Sequence, residues 1–444
     1  MKLIFDVSDK PKAGQLVVFA LQQMLAILAA TIAVPLIIGN GLTPAAAMFG
    51  AGVGTIVYIL FTKRKSPVFL GSSFAFLGSM AAAFAGGVSM QLGMLGLIVG
   101  AFLAGLVYVV IAIVVKFVGV GWLNKLMPAV VIGPTVAIIG LSLAGNAIGD
   151  LVKGDVTKQV TEYAVSTDSG TPEIIETVSN VPVGSSYVAL ICGLITLAVV
   201  MLCSTYGKKT LRLIPFIIGI LAGYAAAAIF TVIGNICDID ALKIVDFSVF
   251  SSYMLTDGSV SLKTFVSLPD FAFVSGLEGL KEFDFTYFAT IFVAYVPVAL
   301  VVFAEHVADH KNLSSIIDHD LLEEPGLTRT LLGDGVGSIA GALFGGCPNT
   351  TYGESVACVA ITGNASVITI FAAAIGCMLF SFITPLVAFV DSIPACVMGG
   401  VCIALYGFIA VSGLKMIQDA NLDDNRNLFV VSVILIAGIG GLTL

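Results

Sequence analysis

Pro348-Asn349-Thr350-Thr351-Tyr352-Gly353-Glu354 lies within an apolar stretch of the chain, yet its residues do not suit a continuous helix. Hydroxyl, β-branched and aromatic side chains next to glycine favour extended backbone. A second stretch, Gly71-Ser72-Ser73-Phe74-Ala75-Phe76, has the same character. Ser72-Ser73-Phe74 and Thr350-Thr351-Tyr352 each join two small hydroxyl residues to an aromatic, close after a proline (Pro67, Pro348). Two short extended segments meeting inside a membrane would present N–H and C=O groups to a flat polar ligand.

The surroundings of both stretches are lipid-like in composition. Of 444 residues, 58% are hydrophobic and 11% charged, with 48 glycines. A soluble domain carries roughly 25% charged residues. Thirteen apolar spans are predicted, at 14–39, 44–61, 67–84, 91–117, 126–146, 187–203, 211–234, 285–305, 335–346, 349–362, 365–389, 394–411 and 428–444. The first is longer than the ~7–15 residues of a signal-peptide core, so it is expected to stay in the membrane.

Placing the N-terminus in the cytoplasm puts fifteen Lys and Arg on that side. Five, Lys153, Lys158, Lys243, Lys263 and Lys281, fall outside, in the two longest loops (147–186 and 235–284). That imbalance follows the positive-inside rule. The same loops carry fourteen acidic residues, so most of the net charge of −8 is an outer solvated skirt.

The chain also repeats itself. Met127-Pro128-Ala129-Val130-Val131-Ile132-Gly133 resembles Ile393-Pro394-Ala395-Cys396-Val397-Met398-Gly399. This pair joins spans 5 and 12, and the hydroxyl–aromatic pair joins spans 3 and 10. A separation of seven spans, an odd number, reverses direction across the membrane and predicts inverted repeats. Transporters built in this way hold substrate near the bilayer midplane on interrupted helices.

Glu305 and Glu354 are the acids placed within spans, with Asp309 one helical turn beyond Glu305, at the membrane edge. A carboxylate in hydrocarbon costs at least ~2.5–3.5 kcal/mol, so it faces a cavity or a partner, and it can take up and release a proton. His306, His310 and His319 are read as a solvated edge, and 318–324 as a solvated helix face. The eight cysteines show no metal or disulfide pattern. No GxxxxGK[ST] loop, metal motif or nucleophile–base pair is present, which speaks against an ATP-driven pump and against an enzyme.

Phe303-Ala304-Glu305-His306, Glu323-Glu324-Pro325-Gly326-Leu327, Gly333-Asp334-Gly335 and the 348–354 stretch closely resemble the nucleobase–ascorbate transporter (nucleobase:cation symporter-2) family, on its bacterial, uracil-carrying side. Leu21-Gln22-Gln23 and Gly71-Ser72-Ser73-Phe74 share the likeness. It runs from about residue 10 onward, with 147–186 resembling an insertion. The resemblance implies an all-α polytopic membrane protein of seven plus seven inverted spans, with short antiparallel strands in spans 3 and 10. It implies a core domain (1–125 and 285–390), a gate domain (126–284 and 391–444) and a homodimer built through the gate.

It further implies symport of uracil or a related nucleobase into the cell across the cytoplasmic membrane. The coupling ion would be a proton, with sodium the other candidate; no cofactor and no nucleic acid is implied. Carried over by position, Glu305 binds the base, Glu354 binds it and couples the proton, and Asp309 assists coupling. Phe74, Tyr352 and Gly353 supply strand backbone beside the ring, and Ala30 a nearby wall. The chain departs from the family pattern in four ways. Ser355-Val356-Ala357 stands where Asn-x-Gly is usual, and Thr362-Gly363 where Thr and a basic residue close the motif. Gln23 and Asp309 stand where His is expected, and a fourteenth span is not seen by Leu444. A purine (xanthine or uric acid) permease, and an anion exchanger or channel of related fold, are the other readings.

Overall fold

The computed structural model describes residues 3–440 apart from 120, 122–127, 167–172, 209–210, 212–213, 255–258 and 419. Lys2, Lys125, Lys209, Arg212 and Met127, the 125/126 domain boundary and the last four residues of span 13 lie outside these. Among the described residues, eight helices are long and apolar enough to cross a membrane. A continuous helix pairs its own backbone, which is what hydrocarbon demands.

The first half contains α1 (Ala13–Ile38), α2 (Pro44–Phe61), strand β1 (Leu70–Ser72), α3 (Leu77–Ala83) and α4 (Met90–Val118). It continues with α5 (Ala129–Ser142), α6 (Ala144–Leu151), β2 (Thr157–Ser166), β3 (Glu173–Pro182), α7 (Ser186–Tyr206) and α8 (Pro215–Cys237). The short outer helices α9 (Ser248–Met254) and α10 (Ala272–Glu278) lead to the second half. There stand α11 (Phe285–Ile317), α12 (Leu327–Gly345), β4 (Asn349–Thr351), α13 (Gly353–Thr362), α14 (Val367–Phe380), α15 (Thr384–Asp391), α16 (Ala395–Gln418) and α17 (Asn425–Ile439). Hydroxyl and carboxylate side chains start several of these helices. Thr43 accepts from Ala46 N, Ser89 from Leu92 N and Asp284 from Tyr287 N.

Spans 3 and 10 are broken where the hydroxyl–aromatic motifs predicted. β1 and β4 pair antiparallel, Leu70 opposite Thr351 and Ser72 opposite Asn349. Each strand is only three residues long, and Phe74–Phe76 already form a helical turn. Other boundaries differ from the sequence reading. Span 8 does not stop at Glu305: α11 runs 33 residues, through the polar stretch, to Ile317. Span 9 begins eight residues early at Leu327, and span 11 divides into α14 and α15.

Helix packing repeats between the halves. α2 lies along α12; α12 also lies along α4, and α2 along α14. α5 lies along α16; α16 also lies along α7, and α5 along α17. α11 packs on α4 as α1 packs on α14. Exchanging each span for the one seven later maps these contacts onto one another, as two related halves require. The two crossings on the symmetry element are made by small residues, the usual device between membrane helices. A Cβ on Gly50 of α2 would sit 2.4 Å from the Gly341 carbonyl of α12, and one on Gly413 of α16 would sit 2.2 Å from Ala137 N of α5.

The outer segment 147–186, read as a loop, instead contains α6 as far as Leu151 and the hairpin β2–β3, in register from Thr157↔Pro182 to Ser166↔Glu173. Its β-branched content carries that conformation, which span-hunting by hydropathy does not see. The hairpin's base is tied down by Asp155, whose N–H donates to Ile244 O and whose Oδ1 accepts from Ala395 N at the start of α16. Burial raises the Asp155 carboxyl from 3.8 to about 6, against the Ala395 N–H, with Asp246 and Asp150 adding to the rise.

A raised acid favours its protonated form in the fold. Its stabilising contribution is full below pH ~4 and is lost as pH climbs through about 6. Asp155→Asn keeps the acceptor oxygen and removes the charge. The variant is expected to melt higher than wild type at pH 7.5, by up to about 3 kcal/mol, and equally at pH 4. Thermal unfolding in detergent across pH 4–8 checks this; equal melting at both ends contradicts it.

Candidate functional site

The site grows from the strand pair. Past its ends, Ser73 N donates to Pro348 O and Tyr352 N to Phe69 O. Side chains of neighbouring helices take the donors that the ladder misses. Leu70 N donates to Thr55 Oγ1 at 2.9 Å, and Asn349 N to Ser338 Oγ at 3.0 Å. Tyr352 OH reaches back to Ser72 O at 2.7 Å, closing the pair from the side. Backbone that would otherwise be unpaired in hydrocarbon is thereby satisfied.

Beside this pair opens a cavity of about 810 Å³. Glu305 and Asp309 of α11 and Glu354 of α13 line it, with Phe74, Tyr352 and Gly353. The far wall is apolar, formed in part by Ile139 of α5 and Phe408 of α16. The ring of Phe74 meets Tyr406 edge-on at 5.6 Å. Six of the seven site residues expected from the sequence thus share one cavity. Ala30 does not line it: it is buried within α1.

Phe74, Tyr352 and Gly353 all lie just beyond the strands and not within them, although Tyr352 N continues the pairing by donating to Phe69 O. Gly353 opens α13, whose first-turn N–H groups have no partners inside the helix. Carboxylates accept from N–H donors, and a helix N-terminus donates to carbonyls. Among the described residues, no Lys or Arg lines the cavity. The arrangement therefore suits a neutral ligand with both donors and acceptors, and suits protons, better than it suits anions.

Asp309 is not at a membrane edge. Its Oδ2 accepts from Thr351 Oγ1 of β4 at 2.9 Å, which brings it to the level of the strand pair. His306 and His310 are likewise not solvated; both are fully buried. His306 Nδ1 lies 2.6 Å from Asp334 Oδ2, and its Nε2 lies 3.0 Å from Thr330 Oγ1, both on α12. His310 Nδ1 donates to His306 O, so its Nε2 is free to accept from Tyr58 OH of α2, 2.6 Å away. These bonds fasten α11 to α12 and α2, fixing the rotation that turns Glu305 and Asp309 to the cavity. The signal was available: His306 and His310 fall on the face of Ala299, Val302, Phe303, Leu313 and Ile317, all buried. Of the three histidines only His319 is exposed, alongside most of 318–324, where a turn over 318–321 leads into a short π-helical segment, Leu322–Gly326.

Residues 14–444 match Xan_ur_permease, described as a permease family. The uracil permease of Bacillus caldolyticus is 36% identical over 447 residues, spanning 100% of this chain and 89% of its own length. The uracil permease of Escherichia coli (strain K12) is 33% identical over 437 residues, 98% and 87% of the two chains. Among solved structures, the transmembrane domain of the cyanobacterial bicarbonate transporter BicA superposes with a TM-score of 0.66, covering 98% of both chains at 13% identity. SLC26A9 follows at 0.59, covering 98% of this chain and 63% of its own, also at 13% identity. At that identity the likeness is one of fold alone: a mostly helical, multi-pass membrane protein with a short antiparallel strand pair.

Gly71 offers a direct check on the site's packing. A Cβ there would sit 2.3 Å from the Tyr352 ring, which is pinned by its bond to Ser72 O; Gly78, in the same span, has nothing within 4 Å. Gly71→Ala is expected to lower stability by about 1–3 kcal/mol through overpacking. Gly78→Ala should leave it unchanged or slightly raised. Melting of the two purified variants decides, and equal melting contradicts the packing described.

Proposed function

The chain belongs to the Xan_ur_permease family, a family of transporters and not of enzymes, and on that premise we propose that it carries uracil into the cell by symport with a proton. The observation that carries this reading is the cavity, where Glu305 and Glu354 stand beside the strand pair and the start of α13, with no Lys or Arg among the described lining residues. Uracil has two ring N–H donors and two carbonyl acceptors. Carboxylates match the donors, and first-turn N–H groups of α13 match the carbonyls. A site that pairs every polar edge rejects analogues lacking one, because its own groups are left unsatisfied. The full-length relatives named uracil permeases support the same base.

In this reading Glu305 binds the base, while Glu354 binds it and carries the proton. Asp309, held by Thr351, tunes that proton. Residues 1–125 and 285–390 form the core that holds the substrate, and 126–284 with 391–444 form the gate, which supplies the cavity's far wall. The N-terminus is cytoplasmic in the cell membrane. The cavity extends to Ser204, Thr205 and Met416, near Lys208 and Lys415, so it opens inward. The homodimer forms through the gate, where α7 and α8 present exposed apolar faces.

Glu305→Gln keeps shape and removes the anionic acceptor, a hydrogen bond worth ~1.5–3 kcal/mol. Uracil binding by calorimetry is expected to weaken about tenfold or more, and uptake to vanish, with folded protein retained. Wild-type affinity in that variant contradicts its role. Glu354→Gln imitates the protonated form permanently. In proteoliposomes it should exchange labelled for unlabelled uracil but lose uphill, gradient-driven uptake, whereas Asp309→Asn should only slow transport and move its pH optimum. If Glu354→Gln still accumulates uracil together with a proton, another group carries the proton.

A further inference from the structure

At the junction of β1, α1 and α13 one buried hydroxyl collects two donors. Ser355, the residue after Glu354, accepts from Phe69 N at 3.0 Å and from Gln23 Nε2 in the middle of α1. Ser355 is fully buried and Gln23 almost so. Neither lines the substrate cavity.

The reason for this knot lies in the ladder. Tyr352 N donates to Phe69 O, so the antiparallel pattern would return Phe69 N–H to Tyr352 O. That carbonyl is already the first acceptor of α13, taking Val356 N. The change from strand to helix thus strands the Phe69 donor in an apolar interior, where an unpaired N–H is costly. The Ser355 hydroxyl takes it from within the first turn of α13. Gln23 then fixes the hydroxyl from a third element, a continuous helix that does not break.

We infer that Gln23 and Ser355 are positioning residues for the substrate site: together they hold the first turn of α13, and with it Glu354, in register with β1. The inference rests on the reading that Glu354 meets the transported base. α13 is only ten residues long, and its N-terminal end is otherwise tied to β1 through Tyr352 alone. A small rotation of that turn swings Glu354 away from the ligand while leaving the helices packed. Both residues stand at positions where the chain departs from the pattern it resembles, and the structure brings the two departures into contact.

The test is a double-mutant cycle on purified protein in proteoliposomes, using Ser355→Ala, Gln23→Leu and the pair, with labelled uracil as probe. Ser355→Ala is expected to raise the uracil KM about tenfold while kcat stays within about twofold, and Gln23→Leu to raise KM several-fold. The double variant should be no worse than Ser355→Ala alone, because both changes break one knot. Melting is recorded for each. A lowered melting temperature with wild-type KM overturns the inference, as do single effects that simply add. Should Ser355→Ala fail to fold, Gln23→Leu decides by itself: raised KM supports positioning and unchanged KM overturns it. Wild-type protein that neither binds nor transports uracil refutes the functional reading instead.

Discussion

Every backbone N–H and C=O within hydrocarbon has to find a partner inside the chain. The continuous helices meet that demand alone; spans 3 and 10 cannot, because each is interrupted. Their interruption is tolerable only because β1 and β4 pair with each other, and because Thr55, Ser338 and Ser355 accept the donors left at the strand ends. The rest of the architecture serves that pairing. α2 and α12 must approach closely enough to bring Thr55 and Ser338 to the strands, and glycine at Gly50 and Gly341 makes the approach possible. Breaking two spans at one level also creates what a transporter needs: free helix termini beside a cavity.

The acids follow from the same geometry. Glu354 sits in the first turn of the half-helix that the break creates, and α11 brings Glu305 and Asp309 alongside. Three carboxylates around one cavity repel each other, and a neutral ligand with N–H donors, or a proton, relieves that repulsion. The rotation of α11 is set from behind by His306 and His310, bonded to α12 and α2. Presenting face and fastening face lie side by side on one helix, so a change to Asp334 or Tyr58 is felt at the site without touching it.

Much of this was legible in the chain itself. Paired hydroxyl–aromatic motifs after a proline located both strands, because few residue types suit extended backbone in an apolar span. Glu305 and Glu354 stood out because charge in hydrocarbon is rare. Local polarity misled elsewhere. His306 to Lys311 reads as a helix end by hydropathy, yet the i, i+4 spacing of His306 and His310 continues the buried face of α11. The start of α12 was hidden for the same reason, since its first turns carry Thr328, Arg329 and Thr330. Contacts among distant spans, such as Gln23 with Ser355, have no local signature and needed the fold. Ala30 was carried over by likeness alone, and no local chemistry argued for a place at the cavity.

The central claim is that a cavity built of carboxylates and strand-end backbone moves uracil with a proton. It is tested most directly by wild-type protein in proteoliposomes given labelled uracil with and without an imposed proton gradient, alongside a panel of unlabelled bases. The account predicts accumulation only with the gradient inward, a matching proton influx, and competition by uracil far stronger than by xanthine or uric acid. Accumulation that ignores the proton gradient, or that xanthine blocks and uracil does not, contradicts it.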